Sequence, residues 1–168
     1  EYVPETKDVL SKDVSYAIVD LLKGVTQGGS GTRLRTTGAN KYRNEYDEII
    51  TGYPYELTNP IAGKTGTTQN NSDGWFMGMV PNLVTGVWVG GEERAVHFKS
   101  ITYGQGASMA LPIWGLYMTK NYADPELGIS KEDFEKPENM SIEIDCDKFA
   151  SDIKEDKDIE DDLDDLDF

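Results

Sequence analysis

Residues 61–89 read IAGKTGTTQNNSDGWFMGMVPNLVTGVWV, and this stretch has the pattern of three short β-strands. Its first part, residues 61–68, is rich in threonine. Residues 75–80 are aromatic and apolar, and residues 83–89 are rich in valine, which is typical of strands. Pro81-Asn82 is a turn signal between the last two segments. We therefore predict three antiparallel strands, of which the last two form a hairpin.

Two segments with helical spacing flank these strands. In residues 11–26 apolar side chains recur three or four positions apart. Ser11 is a suitable N-cap, and the glycine pair that follows the segment ends it. Residues 106–122 predict a second helix, in which Pro112 either produces a kink or begins a fresh first turn. Helices beside an antiparallel sheet predict the α+β class.

The remaining segments before residue 122 carry weaker signals. Residues 32–35 predict a short extended piece, and residues 92–105 predict a loop. Residues 36–58 are polar and rich in turn-forming residues, and their pattern assigns no element. Gly78 and Gly86 fall inside predicted strands, which indicates a close approach of backbone or of a helix packed over the sheet.

The charge is distributed very unevenly. The 168 residues carry 31 acidic and 16 basic side chains, a net charge of −15. Residues 1–122 hold 12 acids and 11 bases, whereas residues 123–168 hold 19 acids and 5 bases. We predict a folded part over residues 1–122, a linker over 123–149 and an acidic tail over 150–168. A tail of this composition is expected to be disordered, although its spaced apolar residues would allow a short helix induced by a partner.

Composition excludes several classes of function. An acidic balance disfavours nucleic acid, because phosphate binding needs clustered lysine and arginine. A single cysteine, Cys146, excludes an internal disulfide and a multi-cysteine metal site, and a single histidine, His97, excludes a two-histidine zinc motif. The sequence predicts neither a metal nor a cofactor. No apolar run approaches the length of a membrane span, and the start has no secretory signal.

The string AGKTGTT, residues 62–68, carries the chemistry, and two interpretations compete for it. A phosphate-binding loop, G-x-x-x-x-G-K-[ST], would need glycine at position 58, which is Thr58, and a helix after Thr65, where no helical pattern follows. The other interpretation is the K-T-G motif of penicillin-recognising serine enzymes. That motif lies on a strand, and the local pattern here predicts a strand.

The flanking strings extend the second interpretation. They are GGSGTR at residues 28–33, DGWFMG at 73–78, GVWVG at 86–90 and ALPIW at 110–114. In this order and spacing, residues 8–122 resemble the C-terminal half of the transpeptidase domain of class A penicillin-binding proteins. The resemblance implies the fold shared with β-lactamases: an α+β domain with an antiparallel sheet packed by helices, incomplete in this chain and followed by the acidic tail.

The resemblance also implies an activity and a role for each residue of the K-T-G strand. The activity is peptidoglycan D,D-transpeptidation, an acyl transfer through a serine ester, with stem peptides and β-lactams as partners on the extracytoplasmic face of the membrane. Lys64 would attract the terminal carboxylate of the substrate, and Thr65 and Thr67 would donate hydroxyl hydrogen bonds to it. Gly66 would let the acyl group lie close to the strand. The backbone N–H of Thr67 would be the second donor of the oxyanion hole.

The motifs for the nucleophile and its base are missing before Lys64. Of the serines at positions 11, 15 and 30, none begins S-x-x-K and none has asparagine two residues later. We therefore expect the chain to be inactive alone. Its start at Glu1, without methionine, predicts a piece of a longer polypeptide whose upstream remainder completes the domain. With two strands of the sheet missing, the edge of residues 83–89 would be unpaired, and self-association of the piece is expected.

Other residues have less specific interpretations. The three tryptophans are expected in the core, and Trp75, beside Lys64, is the best candidate for contact with the site. Tyr103, Gly104 and Gln105 lie where the family has a wall of the site. Arg33 and Arg35 are expected to form structural salt bridges rather than to bind a substrate carboxylate. His97 is interpreted as an ordinary loop histidine and Cys146 as a free thiol.

A different class of function also fits the missing motifs. In that alternative the half-domain is a non-catalytic interaction module, and the acidic tail binds a basic partner. The sequence upstream of Glu1 would discriminate the two, since S-x-x-K followed by S-x-N in frame would establish the enzyme.

Overall fold

The structure is a computed structural model, and it describes residue 7 and residues 9–35, 55–145 and 148. The chain divides into two compact units, Glu1–Pro137 and Glu138–Phe168. The helices and strands given below all belong to the first unit. In the second unit, Lys148 and Glu143 form an ion pair of 2.5 Å. Residues 150–168 and Cys146 lie outside the described residues, and the predicted domain limits stay a prediction.

The first unit contains three helices, two 3₁₀-helices and three strands among its described residues. Along the chain they are α1 (Lys12–Gln27), a 3₁₀-helix (Thr32–Arg35), β1 (Ala62–Thr67), β2 (Gly74–Val80), β3 (Leu83–Val89), α2 (Ile101–Gly104), α3 (Gly106–Ala123) and a second 3₁₀-helix (Pro125–Leu127). The limits of the two predicted helices and three predicted strands are confirmed to within two residues. The α+β class is also confirmed.

Local signals determine where α1 begins and ends. The hydroxyl of Ser11 accepts a hydrogen bond of 3.3 Å from the N–H of Val14, which satisfies one of the free donors of the first turn. Asp13 lies in that turn, where the helix dipole favours a negative charge. At the other end, the N–H of Gly28 donates to the carbonyl of Gly24 at 2.9 Å. The hydrogen bond from Val14 confirms the predicted N-cap at Ser11, and α1 ends at the predicted glycine pair.

Two local predictions were wrong. Thr32–Arg35 is a 3₁₀-helix and not an extended piece. The N–H of Thr32 donates to Gly29 O at 3.2 Å and the N–H of Leu34 donates to Gly31 O at 3.1 Å, and this spacing of three tightens the chain. The predicted loop of residues 92–105 includes the short helix α2 (Ile101–Gly104).

The sheet is antiparallel with the order β1-β2-β3. Lys64 lies opposite Met77, and Met77 lies opposite Gly86. Because side chains alternate between the faces of a strand, residues 76, 78 and 80 of β2 face one way and residues 75, 77 and 79 the other. The first set is buried, whereas Trp75 and Met77 of the second set are exposed.

Helix α3 covers the buried face of the sheet. Trp114 is fully buried there, and its ring packs edge-on against Phe76 at a centroid distance of 5.2 Å. A Cβ atom at Gly78 would lie 2.4 Å from the Trp114 ring, so glycine is required at this position for the helix to approach the sheet. The helix continues through Pro112. The core around this contact consists of Leu34, Tyr55, Leu57, Ile61, Phe76, Val80, Ala110, Leu111, Trp114 and Met118.

The tryptophan prediction holds only for Trp114. Trp75 is 46% exposed and Trp88 is 47% exposed. Both lie on the face opposite α3, with their ring centroids 6.4 Å apart. The sequence pattern misled here because an aromatic strand has the same composition whether one or both of its faces are covered.

Candidate active site

Strand β1 places residues 64–67 at an edge of the described sheet. Among the described strands it pairs only with β2. The N–H of Thr68 donates to the carbonyl of Asp73 at 3.1 Å, across the turn from β1 to β2. In an antiparallel pair the hydrogen-bonded residues alternate along the strand. The backbone groups of the even-numbered residues therefore point toward β2, and those of Thr65 and Thr67 point toward the open edge.

Two side-chain contacts agree with this assignment. The hydroxyl of Thr26 in α1 donates to the carbonyl of Ile61 at 2.7 Å. The ammonium group of Lys64 donates to the carbonyl of Thr65 at 2.9 Å. Both acceptors belong to odd-numbered residues. The backbone N–H of Thr67 consequently lies on the same edge as the carbonyl that binds the Lys64 ammonium group.

The side chain of Lys64 is exposed. Its ammonium group turns back onto the strand through the bond to the Thr65 carbonyl. An ammonium group has three donors, and this contact uses one of them. The site thus presents a positive charge with further donors beside an open strand edge, which is an arrangement that attracts a carboxylate.

Thr65 contacts a residue that lies 35 positions earlier in the chain. Its hydroxyl is 2.7 Å from the hydroxyl of Ser30, and either group could be the donor. Ser30 belongs to the turn between α1 and the first 3₁₀-helix. In the sequence Ser30 stands out only as a serine without the S-x-x-K motif, and that pattern does not indicate this contact.

Gly106 allows α3 to approach β1 and β2 closely, and Gly66 lies against Trp75 on the opposite face of the sheet. A Cβ atom at Gly66 would lie 3.2 Å from Cβ of Trp75, and one at Gly106 would lie 2.4 Å from the carbonyl oxygens of Gly66 and Trp75. The hydroxyl of Thr67 accepts a hydrogen bond of 3.0 Å from the N–H of Gly106. The first residue of α3 is therefore fixed against the end of β1.

A hydrogen-bonded turn follows the strand. The hydroxyl of Thr68 accepts from the N–H groups of Ser72 and Asp73 at 3.1 and 2.9 Å. The carboxylate of Asp73 accepts from the Ser72 hydroxyl at 2.7 Å and from the indole N–H of Trp88 at 3.1 Å. The Ser72 bond is the main reason that the pKa of Asp73 lies below its usual value, and the Trp88 bond acts in the same direction. The carboxylate stays ionised and holds the turn together.

Arg35 stabilises the framework through neutral acceptors. Its guanidinium donates to the carbonyl of Leu57 at 2.7 Å, to that of Asn59, and to the hydroxyl of Thr26 at 2.9 Å. Burial lowers its pKa, although an arginine stays charged at any physiological pH. These described partners are carbonyl and hydroxyl groups, which use the donors of arginine and not its charge, and the salt bridge expected at Arg35 stays a prediction.

Arg33 connects the 3₁₀-helix to α3. It donates to the hydroxyl of Ser108 at 3.1 Å and to the carbonyl of Ala107 at 3.4 Å. These contacts join two elements of the fold, and the salt bridge expected at Arg33 stays a prediction.

Residues 103–105, which the resemblance places at a wall of the site, lie beside the turn after β1. Gly104 is buried, and a Cβ atom there would lie 2.4 Å from Cβ of Asn71. Tyr103 is 39% exposed, and Gln105 directly precedes Gly106 of α3. His97 is exposed, with Nδ1 3.1 Å from the carbonyl of Phe98.

Within residues 9–35 and 55–145, the structure places no group of three histidine, cysteine, aspartate or glutamate side chains so that they could hold a metal ion. None of the described helices is long and apolar enough to span a membrane.

Known proteins give an independent comparison. The chain is 35% identical over 148 residues to penicillin-binding protein 1A of Aquifex aeolicus, a match that covers 86% of this chain and 16% of that protein. It is 46% identical over 59 residues to penicillin-binding protein 1A of Neisseria meningitidis serogroup A, which covers 34% of this chain and 7% of the relative. No protein-family model matches the chain.

The fold has a counterpart among solved structures. The crystal structure of penicillin-binding protein 1A from Haemophilus influenzae superposes with a TM-score of 0.52 at 23% sequence identity. The superposition covers 79% of this chain and 17% of that chain. This chain belongs to the class A penicillin-binding proteins. It spans about one sixth of the length of the Aquifex relative.

For a penicillin-binding protein, the residues that sequence reasoning missed are the supports of the K-T-G strand: Thr26, Ser30, Asp73 and Gly106. Three of them carry small or polar side chains that bond to residues at least 15 positions away. The glycine string at residues 28–31 was a usable signal, because glycines around one serine indicate a tight turn that presents it.

Proposed function

We propose that this chain supplies the K-T-G strand of a serine D,D-transpeptidase that cross-links peptidoglycan stem peptides and is acylated by β-lactams. The observation that carries the proposal is that the Lys64 ammonium group and the N–H of Thr67 share the open edge of β1. One substrate carries both the carboxylate that Lys64 would attract and the carbonyl oxygen that the Thr67 N–H would stabilise as an oxyanion. The two protein groups therefore have to lie on one edge.

The substrate would lie along β1 as an added strand. Main-chain hydrogen bonds to the outward-pointing groups of Thr65 and Thr67 would orient it. Lys64 and the hydroxyl of Thr65 would bind its terminal carboxylate, and Gly66 leaves room for the acyl group. The Thr67 hydroxyl already accepts a bond from Gly106, and its proton is free to be donated to the same carboxylate.

The N–H of Thr67 would stabilise the oxyanion of the tetrahedral intermediate. A serine from another part of the complete polypeptide attacks the carbonyl carbon and forms an ester, and the bond to the leaving amine breaks. An acceptor amine then takes the acyl group and releases the serine. This chain has no S-x-x-K before Lys64, so the 168 residues alone are inactive.

The experiment is labelling with a fluorescent penicillin. The complete polypeptide that carries this sequence should be labelled, and the 168-residue chain should not. Lys64→Ala in the complete polypeptide should slow acylation on the order of 100-fold, comparable to the loss of an electrostatic donor, without changing the melting temperature. Lys120→Ala on α3, another exposed lysine, should acylate at the wild-type rate.

Two results would contradict the proposal. Labelling of the 168-residue chain alone would show that its nucleophile lies within it. Unchanged acylation in Lys64→Ala would remove Lys64 from the site.

The setting and partners follow from the same proposal. Peptidoglycan lies outside the cytoplasmic membrane, so the site works on the extracytoplasmic face, with the anchor in another part of the complete polypeptide. The upstream remainder of that polypeptide is the first partner of this chain.

Self-association of the isolated chain is also proposed. Val84 and Trp88 are exposed on the same face of the sheet as Trp75 and Met77. Among the described strands, β3 pairs only with β2, which leaves an edge able to pair with another chain. Sedimentation at rising concentration should show dimers or larger species. A clean monomer at high concentration would contradict this.

A further inference from the structure

Ser30 lies beside the Lys64–Thr67 strand, and the role inferred for it rests on the function proposed for that strand. Its hydroxyl lies 2.7 Å from the hydroxyl of Thr65, which is an ordinary distance for an O–H···O hydrogen bond. Each hydroxyl carries one proton. The pair uses one of the two protons, and the other is left for a third group.

Ser30 is held at this place by the backbone around it. The N–H of Gly31 donates to the carbonyl of Val25 at 2.9 Å, and the N–H of Thr32 donates to Gly29 O at 3.2 Å. A Cβ atom at Gly29 would lie 3.0 Å from Val25, and one at Gly31 would lie 3.2 Å from Thr26. The turn therefore packs directly onto the end of α1, and glycines on both sides of Ser30 make that approach possible.

The end of α1 is in turn fixed to β1. The Thr26 hydroxyl donates to the carbonyl of Ile61, the residue before the strand, and the guanidinium of Arg35 donates to the same hydroxyl. Thr26 is fully buried. Ser30 thus reaches Thr65 from an element whose position relative to β1 is set by buried hydrogen bonds, which is how a site side chain is kept in one geometry.

We propose that Ser30 is a positioning residue: its hydroxyl donates to Thr65 Oγ1 and so directs the Thr65 proton toward the carboxylate of the substrate. A carboxylate only accepts hydrogen bonds. When the carboxylate binds, the Thr65 hydroxyl has to donate its proton to the carboxylate. The other hydrogen bond of that hydroxyl must then be one in which Thr65 Oγ1 is the acceptor. Ser30 supplies that donor, and a chain of two hydrogen bonds in one direction strengthens both.

The test uses the complete polypeptide and two acyl donors that differ at one group. One is a peptide donor with a terminal carboxylate, and the other is the same peptide with a terminal amide. Ser30→Ala should lower kcat/KM for the carboxylate donor about tenfold, the scale of one hydrogen bond to a charged group. It should lower kcat/KM for the amide donor less than twofold. The loss should appear mainly in KM, since the carboxylate is bound before and during the reaction.

Two further variants separate positioning from a general effect on folding. Ser30→Thr keeps the hydroxyl, and Ser30 is outside the positive-φ region, so threonine should restore the carboxylate preference. In a Thr65→Val background, Ser30→Ala should have no additional effect, because the group that it positions is gone. Ser130→Ala is the matched control, since Ser130 caps an exposed turn through the N–H of Glu132, and it should behave as wild type.

The outcomes distinguish this inference from the proposed function. If the wild-type polypeptide is acylated but Ser30→Ala affects both donors equally, the positioning role of Ser30 is wrong and the proposed function stands. If the loss in Ser30→Ala persists in full in the Thr65→Val background, the inference is likewise wrong. A wild-type polypeptide that neither donor acylates would overturn the proposed function and this inference with it.

Discussion

The hydroxyl of Thr67 accepts a hydrogen bond of 3.0 Å from the backbone N–H of Gly106. Gln105, the N-cap residue of α3, makes no side-chain capping bond, so Thr67 provides from the sheet what a capping side chain provides in other helices. The backbone N–H of the same threonine points to the open edge of β1. One residue thus links the long helix of the core to the proposed oxyanion donor.

Thr67→Val should lower the free energy of unfolding by about 1 kcal/mol, the usual cost of losing an N-cap acceptor. Valine has nearly the same shape, so the loss would come from the unsatisfied N–H of Gly106. Urea unfolding of the 168-residue chain, followed by tryptophan fluorescence, measures the change. Thr67→Ser retains the acceptor and should lose less than half as much. Equal losses in the two variants would show that the Thr67 methyl group, and not its oxygen, stabilises this contact.

Gly78→Ala should destabilise the chain by roughly 2 kcal/mol or more, because the new Cβ atom would lie 2.4 Å from the Trp114 ring. Gly24→Ala is the matched control. Gly24 lies inside α1, and a Cβ atom there would have nothing within 4 Å. This change should stabilise the chain by about 0.5–1 kcal/mol, since alanine loses less backbone entropy in a helix. Opposite signs in the two melting temperatures are expected, and a neutral Gly78→Ala would mean that α3 can move away from the sheet.

The two long helices and the three strands were predictable because each has a local signature. Ser11 and the glycine pair after Gln27 bound α1, and Pro81-Asn82 separates β2 from β3. Which face of a strand is buried has no such local signature. Trp75 and Trp88 look like core residues in the sequence, yet they are exposed, because burial depends on what covers the sheet and not on the strand itself.

The site was predictable only in part, for a related reason. Residues 64–67 could be read as a unit, since the motif is continuous in sequence. Ser30 and Gly106 bond to that strand from 35 and 39 positions away. The glycines at residues 28–31 indicate a turn that presents Ser30, but one sequence does not show which strand that turn contacts. The 3₁₀-helix Thr32–Arg35 was missed because its hydrogen bonds depend on how the preceding turn packs against α1.

Thr85→Val should cost about 1–3 kcal/mol of stability. The indole N–H of Trp114 donates to the Thr85 hydroxyl at 2.6 Å, and Trp114 is fully buried. Valine would leave a buried donor without an acceptor. Thr119→Val is the matched control. Thr119 is an exposed residue of α3 whose hydroxyl donates to a carbonyl of its own helix. This change should alter stability by less than 0.5 kcal/mol, as is usual for surface substitutions. In a Trp114→Phe background the donor is absent, and the cost of Thr85→Val should shrink. If Thr85→Val costs as much in the Trp114→Phe background as in wild type, its effect comes from changed packing and not from the lost hydrogen bond.

The ion pair between Lys23 and Asp133 should make stability depend on pH. Its two N–O distances are 3.0 and 3.2 Å. Burial alone would lower the pKa of Lys23, but the hydrogen bond and charge of Asp133 outweigh it and raise the pKa above its usual value. For Asp133, desolvation acts to raise the pKa, but the hydrogen bonds from Lys23 and from the N–H of Phe134, together with the charge of Lys23, outweigh it and hold the pKa below its usual value.

The signs of these shifts define two windows. A lowered carboxyl pKa gives stability that is complete above the unfolded value, about 3.9, and is lost as the pH falls through the folded value. A raised lysine pKa gives stability that is complete below about pH 10.4 and is lost as the pH rises through the folded value.

Asp133→Asn should therefore lower the free energy of unfolding between about pH 4 and pH 10. Since the Asp133 side chain is 54% exposed, the loss should stay below about 1 kcal/mol. The difference from wild type should vanish toward pH 2, where Asp133 is protonated. Glu132→Gln removes the same charge from the neighbouring exposed residue and should give a smaller, flatter difference. A loss in Asp133→Asn that persists unchanged at pH 2 would show that the ion pair is not its cause.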